Sequence, residues 1–339
     1  MSEELQHPPL TRNRDGGTRR VGIEIEFAGL DALQAAGCVR ALFGGRIVEH
    51  DPYDFLVEDS CFGDFGCKLD SQHAHATEED SRSLKDLLFG LVDDRQAQDL
   101  VRKAGTLIGD VSRYWLPVEV VGPPVPYTEV PAFDRLALAL ADAGAQGTQE
   151  SLIYGFGLQL NPEVASFDAD YLRRHIQAYC LSSEWLRATI DVDMTRRLLP
   201  FVDRFPAAYL RLVFSPGYAP DLGGLIDDFL AHNPTRNREL DLLPLFRLLD
   251  EERVRRATEV DLTLVKARPT FHYRLPNASL GVRGWSILRE WNRWVAVERL
   301  AADEERLETV IKAWLQNDAK LLSDDWAVVS ARWLESGGS

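Results

Sequence analysis

Two glutamates stand two residues apart in 19-RRVGIEIEFAGL-30. In an extended strand, residues i and i+2 point to one face. Glu24 and Glu26 therefore set two carboxylates side by side, while Val21, Ile23, Ile25 and Phe27 turn to the other face. The same alternation recurs along the chain. Lys68 and Asp70 oppose Cys67 and Leu69, and Glu119 opposes Val118 and Val120. Gln159 and Asn161, with Gly155 and Gly157, oppose Tyr154, Phe156, Leu158 and Leu160. Arg268, Thr270, His272 and Arg274 oppose Phe271, Tyr273 and Leu275. Acids gather on the earlier strands and arginines on the last. Hard divalent cations such as Mg²⁺ take oxygen ligands and suit phosphate-bearing substrates. Arginines bind phosphoryl oxygens bidentately and offset charge during transfer. Around one cavity, these groups suggest Mg²⁺-ATP chemistry. A solvated face of an antiparallel sheet gives the same pattern strand by strand. Against it stand the functional residue types and the number of helices available to cover the sheet.

The elements that must position these groups follow from periodicity. A helix is expected over 31–43, closed by Gly44-Gly45. A hairpin with a long loop joins strands at 54–59 and 66–70. Helical spacing covers 77–111, with Thr77 and Asp80 at its start. A strand at 116–125 stops at Pro123-Pro124, a helix runs over 129–143, and a strand at 152–164 stops at Pro162. A helix spans 168–186, residues 191–265 are mixed and mostly helical, and the last strand is 269–276. From 283 the pattern is helical, with Trp285, Leu288, Trp291 and Val295 on one face as core. Strands separated by helices, with a hairpin among them, give an α+β class in one domain. Residues 1–18 read as a flexible lead-in, 19–282 as the catalytic domain, and 283–339 as C-terminal helices packed on it.

Composition narrows the function classes. The 339 residues are 45% hydrophobic and 27% charged, with a net charge of −15. That acidity opposes a nucleic-acid-binding surface, which needs a basic footprint, and suits a soluble, cytoplasmic protein. No run approaches the about 18 to 20 apolar residues of a membrane helix, and the first residues lack an apolar signal region. Cys38, Cys61, Cys67 and Cys180 read as reduced thiols without zinc-ligand spacing. His73 and His75 read as exposed loop residues, and Arg19-Arg20 as a strand-end charge. Neither a GxxxxGK[ST] loop nor a protein-kinase signature set is present.

In order along the chain, 22-GIEIEF-27, 118-VEVVGPP-124, 154-YGFGLQLNP-162 and 268-RPTFHYRLPN-277 resemble the amidoligase family of carboxylate–amine ligases. Glutamine synthetase and glutamate–cysteine ligase are its distant relatives. The resemblance runs from about residue 20 to 300 and implies a curved, mainly antiparallel glutamine-synthetase-like sheet forming a funnel covered by helices. It implies an enzyme that uses ATP and Mg²⁺ to join a carboxylate to an amine through an acyl phosphate. It casts Glu24, Glu26, Asp70 and Glu119 as Mg²⁺ ligands and Arg268 and Arg274 as phosphate-contacting groups. It sets Gln159 and Asn161 near substrate or metal. Lys68 stands where relatives carry an acid, and His272 where they carry a glutamate. The first departure lowers the expected metal count or offers Lys68 to a phosphate or carboxylate. The amine must lose a proton, and His272 or Asp70 is the candidate base. The implied partners are small molecules or peptides, with no nucleic acid or membrane, and a homo-oligomer is compatible. Two rivals stand beside this reading: a guanidino-kinase-like phosphotransferase, and a weakened ligase fold serving as a nucleotide-binding or assembly module.

Overall fold

The computed structural model describes residues 3–69, 117–147, 156–191, 202–258, 260–320 and 324–335. The expected helix over 77–111, Asp70, His73 and His75 lie outside the described residues.

The chain enters the sheet at β1 (Arg20–Phe27). Val21, Ile23, Ile25 and Phe27 are each at most 1% exposed, and each contributes about 1.5–3 kcal/mol by leaving water. Helix α1 (Ala32–Phe43) follows, started by a capping box in which Asp31 and Gln34 exchange hydrogen bonds. Gly44, at φ 74°, ends it. Next come β2 (Arg46–Asp51), β3 (Asp54–Ser60) and β4 (Gly63–Leu69). The β3–β4 connection is tighter than expected, because Asp59 and Gly63 both take positive φ and let the strands run closer to the turn. β2 was not foreseen, since RIVEHD is half exposed and weakly alternating.

Further along lie β5 (Val118–Val121), β6 (Val125–Pro126), α2 (Val130–Asp142), β7 (Leu158–Pro162) and α3 (Ala169–Ile190). Then come α4 (Ala207–Val213), α5 (Leu222–His232), β8 (Leu240–Asp241), α6 (Leu243–Leu249) and α7 (Glu251–Ala257). The chain closes with β9 (His272–Tyr273), α8 (Ile287–Ala302), α9 (Glu304–Asp318) and α10 (Trp326–Glu335). The strand expected over 269–276 is regular only at its centre, with isolated bridges at Thr270 and Asn277.

These strands form one open, antiparallel sheet in the order β2-β3-β4-β5-β1-β7-β9-β8, with β6 also on β1. The class is α+β, as the sequence indicates. Helices α1, α2, α3 and α8 build the core with the sheet's apolar face. Gly122, just after β5, is required there: a Cβ would fall 2.8 Å from the Phe133 ring of α2. Among the described residues, no helix is long and apolar enough to cross a membrane.

Two buried ion pairs lock the layers. Arg19 is 1% exposed, and its guanidinium meets Glu298 of α8 through two bonds of 2.7 Å. Trp294 donates to the same carboxylate at 2.6 Å, and Arg19 also donates to the carbonyls of Glu163 and Leu10. The strand-end charge expected at Arg19 is thus corrected. Its charge is buried because a fork of donors meets a carboxylate and two carbonyls. The second pair joins Arg187 of α3 to Glu239, which Ser183 also contacts. Residues 3–7 run along α8, where Asn292 and Trp291 donate to the Glu4 and Gln6 carbonyls.

Candidate active site

The opposite face of the sheet is polar, and its residues fall into three rows set by strand register. The first row crosses β4, β5 and β1 as Lys68, Glu119 and Glu26. Direct antiparallel partners have Cβ atoms about 4.5–5.5 Å apart, so Glu26 and Glu119 are immediate neighbours. The second row runs Gly66, Val121, Glu24, Gln159. The third begins at Gly22 and Asn161. Leu160 pairs with Tyr273, and Glu163 bridges to Thr270. That register stands Asn161 against His272, which in turn pairs with Asp241.

Each carboxylate finds compensation. Glu26 is 5% exposed; its Oε2 accepts from the Gly157 amide at 2.8 Å and its Oε1 from the Gln159 side chain at 2.9 Å. Glu24, at 9% exposure, accepts from Asn161 at 2.8 Å and from Arg268 at 3.4 Å. Lys68 approaches Glu119 at 3.4 Å from a half-exposed position. Amide donors and distant cations thus replace the neutralisation that the repulsion between acids demands.

These contacts fix the polarity of the next layer. A carboxylate only accepts, so Gln159 turns its NH₂ to Glu26 and its carbonyl away. That carbonyl meets His272 Nε2 at 2.7 Å, and only an N–H can satisfy it. The imidazole is the Nε2–H tautomer, with a lone pair on Nδ1. Burial, reinforced by Arg274, Arg268 and Arg236, holds the His272 pKa well below its ordinary value. At neutral pH it is an uncharged acceptor rather than a cation, and its affinity for a proton is weak for a base.

Two residues of this face escaped the sequence reading. Arg236 and Asp241 lie in a stretch expected to be mixed and mostly helical, yet Asp241 forms β8 beside β9. Arg274 donates to the Arg236 carbonyl at 3.2 Å. Burial and the nearby Arg274 lower the Arg236 pKa, with Asp241 and Glu24 opposing. Burial raises the Asp241 pKa, against the pull of Arg274, the Leu243 amide and Arg236. The available signal was 240-LD-241, an apolar–acid alternation too short to outweigh its helical surroundings.

The structure therefore gathers Glu24, Glu26, Glu119, Lys68, Gln159, Asn161, Arg268, His272 and Arg274 around one face and adds Arg236 and Asp241. Among the described residues, no three His, Cys, Asp or Glu side chains form a metal-holding group. Mg²⁺ is ordinarily held by one or two carboxylates plus water and phosphate oxygens. The adjacent Glu26–Glu119 pair and Glu24 supply hard oxygen donors of that kind. The donor set fits an Mg²⁺ that keeps much of its own shell better than a dedicated protein cage.

A surface cavity of about 410 Å³, lined by Asp134, Trp285 and Arg289, lies between α2 and the start of α8. It shares no residue with the polar face.

A family model described as putative amidoligase enzyme matches residues 17–296 of the chain. Searches of curated proteins and of solved structures found no match.

Proposed function

The chain belongs to the putative amidoligase family, and we propose that it joins a carboxylate to an amine at the expense of ATP. The observation that carries this reading is the single polar face on which the buried Glu24 and Glu26 of β1 stand beside the half-buried Glu119 of β5, and Glu24 meets Arg268 from the 236–274 segment. A carboxylate is a poor electrophile, since its leaving group would be oxide. Its oxygen attacks the γ-phosphorus of ATP, the bond to the bridging oxygen breaks, and ADP leaves. The resulting acyl phosphate carries a good leaving group. The amine nitrogen then attacks the acyl carbon, the C–O bond breaks, and phosphate departs with the electron pair and takes up the proton that the amine loses.

The residues divide this work. Arg268, Arg274 and Arg236 offset the charge of the moving phosphoryl group. Mg²⁺, held by Glu24, Glu26 and Glu119, would supply further neutralisation of phosphate oxygens. Gln159 and Asn161 hold the two β1 glutamates in position. Lys68, at the half-exposed edge of the first row, is placed to meet a phosphate or carboxylate from solvent.

The test is product analysis with the full chain, Mg²⁺-ATP and a panel of amino-acid pairs. ADP, phosphate and a new amide in equal amounts support the reading. A third arginine in the cluster gives some weight to guanidino-kinase chemistry, which would instead yield ADP and a phosphoguanidine without free phosphate. Absence of any heat or thermal shift on adding Mg²⁺-ATP would favour a non-catalytic module.

A further inference from the structure

The third row gathers three acceptors without donors, beside Arg236, whose buried Nε is a donor without an acceptor. Asn161 Oδ1, His272 Nδ1 and Asp241 Oδ2 are all buried and all lack a hydrogen-bond partner. Their residues are 1%, 7% and 1% exposed. Buried polar atoms are nearly always paired, so each exception demands an explanation. Three in one cross-strand row, on the face that holds the glutamates, demand a shared one.

Their polarity follows from the layer beneath. Asn161 must turn its NH₂ to Glu24, so Oδ1 is left as an acceptor. His272 must give its Nε2–H to Gln159, so Nδ1 keeps a lone pair. Asp241 spends Oδ1 on the Leu243 amide at 2.9 Å, so Oδ2 remains. The row therefore presents acceptors from three strands. The complement is a ligand group with several N–H bonds.

Arg236, Arg274 and Arg268 lie close to the same row. They disfavour an isolated cation and favour a ligand whose amino group comes with a carboxylate. From this geometry we propose that Asn161, His272 and Asp241 form the binding row for the amino group of an amine substrate that also bears a carboxylate. The word substrate rests on the ligase reading; the binding row does not.

The test uses glycine and glycine betaine as probes, with the full chain and no nucleotide. Both probes carry the carboxylate, and only glycine has N–H bonds. Calorimetry measures affinity, and side-chain ¹⁵N spectra follow His272 Nδ1. Glycine is expected to move the Nδ1 signal and to bind at least about tenfold more tightly than betaine. Asp241→Asn keeps the Oδ1 contact to Leu243 and exchanges Oδ2 for a donor. It should weaken glycine by about tenfold or more while the melting temperature stays near that of the parent. Equal binding of the two probes, no change at Nδ1, or unaltered glycine affinity in Asp241→Asn would overturn the proposal. An absence of ATP turnover with glycine binding intact would instead sink the ligase reading alone.

Discussion

Two buried charge clusters sit on opposite faces of one sheet and are built differently. Behind the apolar face, Arg19 and Glu298 meet through two bonds of 2.7 Å, and Trp294 and two backbone carbonyls complete the set. On the polar face, Glu24 and Arg268 approach only to 3.4 Å, and three neighbouring acceptors have no donor. The first cluster is closed and complete within the chain. The second is held open, with acids and arginines apart and part of its hydrogen bonding left to something else. The closed pair serves the fold, and the open one is the pair that we propose serves a ligand.

The sharpest way to break this contrast is to remove one half of the closed pair. Arg19→Met leaves Glu298 buried and uncompensated, and unfolding free energy should fall by about 3–5 kcal/mol, read by denaturant titration. Protein that remains folded should keep the nucleotide affinity proposed for the polar face; a parallel loss of that affinity would erase the distinction between the clusters.

Acidification tests the apolar side in a second way. His175 of α3 lies against Tyr171 and Phe271, donates from Nδ1 to the Tyr171 carbonyl at 2.7 Å, and is pushed by burial to about 4. A folded pKa below the unfolded value of about 6.5 means that the unfolded chain binds more protons between them. Stability is full above pH of about 6.5 and drops as the pH falls toward about 4, by about 3 kcal/mol from this group. His272 is shifted in the same direction and adds to the slope. His175→Phe should flatten the curve of unfolding free energy against pH, and an unchanged curve would discount this origin.

On the polar side the expected pattern reverses. Glu24→Gln should lower the proposed ATP-dependent phosphate release on the order of a hundredfold, with unfolding free energy changed by less than about 1 kcal/mol. A variant that unfolds while the surviving fraction turns over normally would assign Glu24 to the fold. The smallest effect is expected at Lys68. Its contact with Glu119 is half exposed, and Lys68→Met should alter stability by less than about 1 kcal/mol, measured by thermal melting.

What the sequence disclosed, and what it hid, follows the range of the interactions. The alternation of Glu24 and Glu26 with Ile23 and Ile25 is local, and it identified both the strand and its polar face. The hairpin and the helix over 31–43, closed by Gly44-Gly45, were legible for the same reason. Asp241 was not, because a two-residue strand has no periodicity and exists only through pairing with β9. Arg19 looked like a solvent charge because Glu298 lies 279 residues away. The orientation of His272 could not be read at all, since it depends on a relay from Glu26 through Gln159.

The central place of β1 also has a consequence in time. Glu24 and Glu26 leave the ribosome long before their amide partners Asn161 and Gln159, which follow 137 and 133 residues later. At about 5–20 residues per second, the nascent strand waits on the order of ten seconds for the groups that neutralise its acids. During that interval its two carboxylates keep an otherwise apolar segment hydrated. Charged side chains on an unpaired strand oppose its pairing with other chains, and the residues that would hold a ligand in the finished protein carry that property through synthesis.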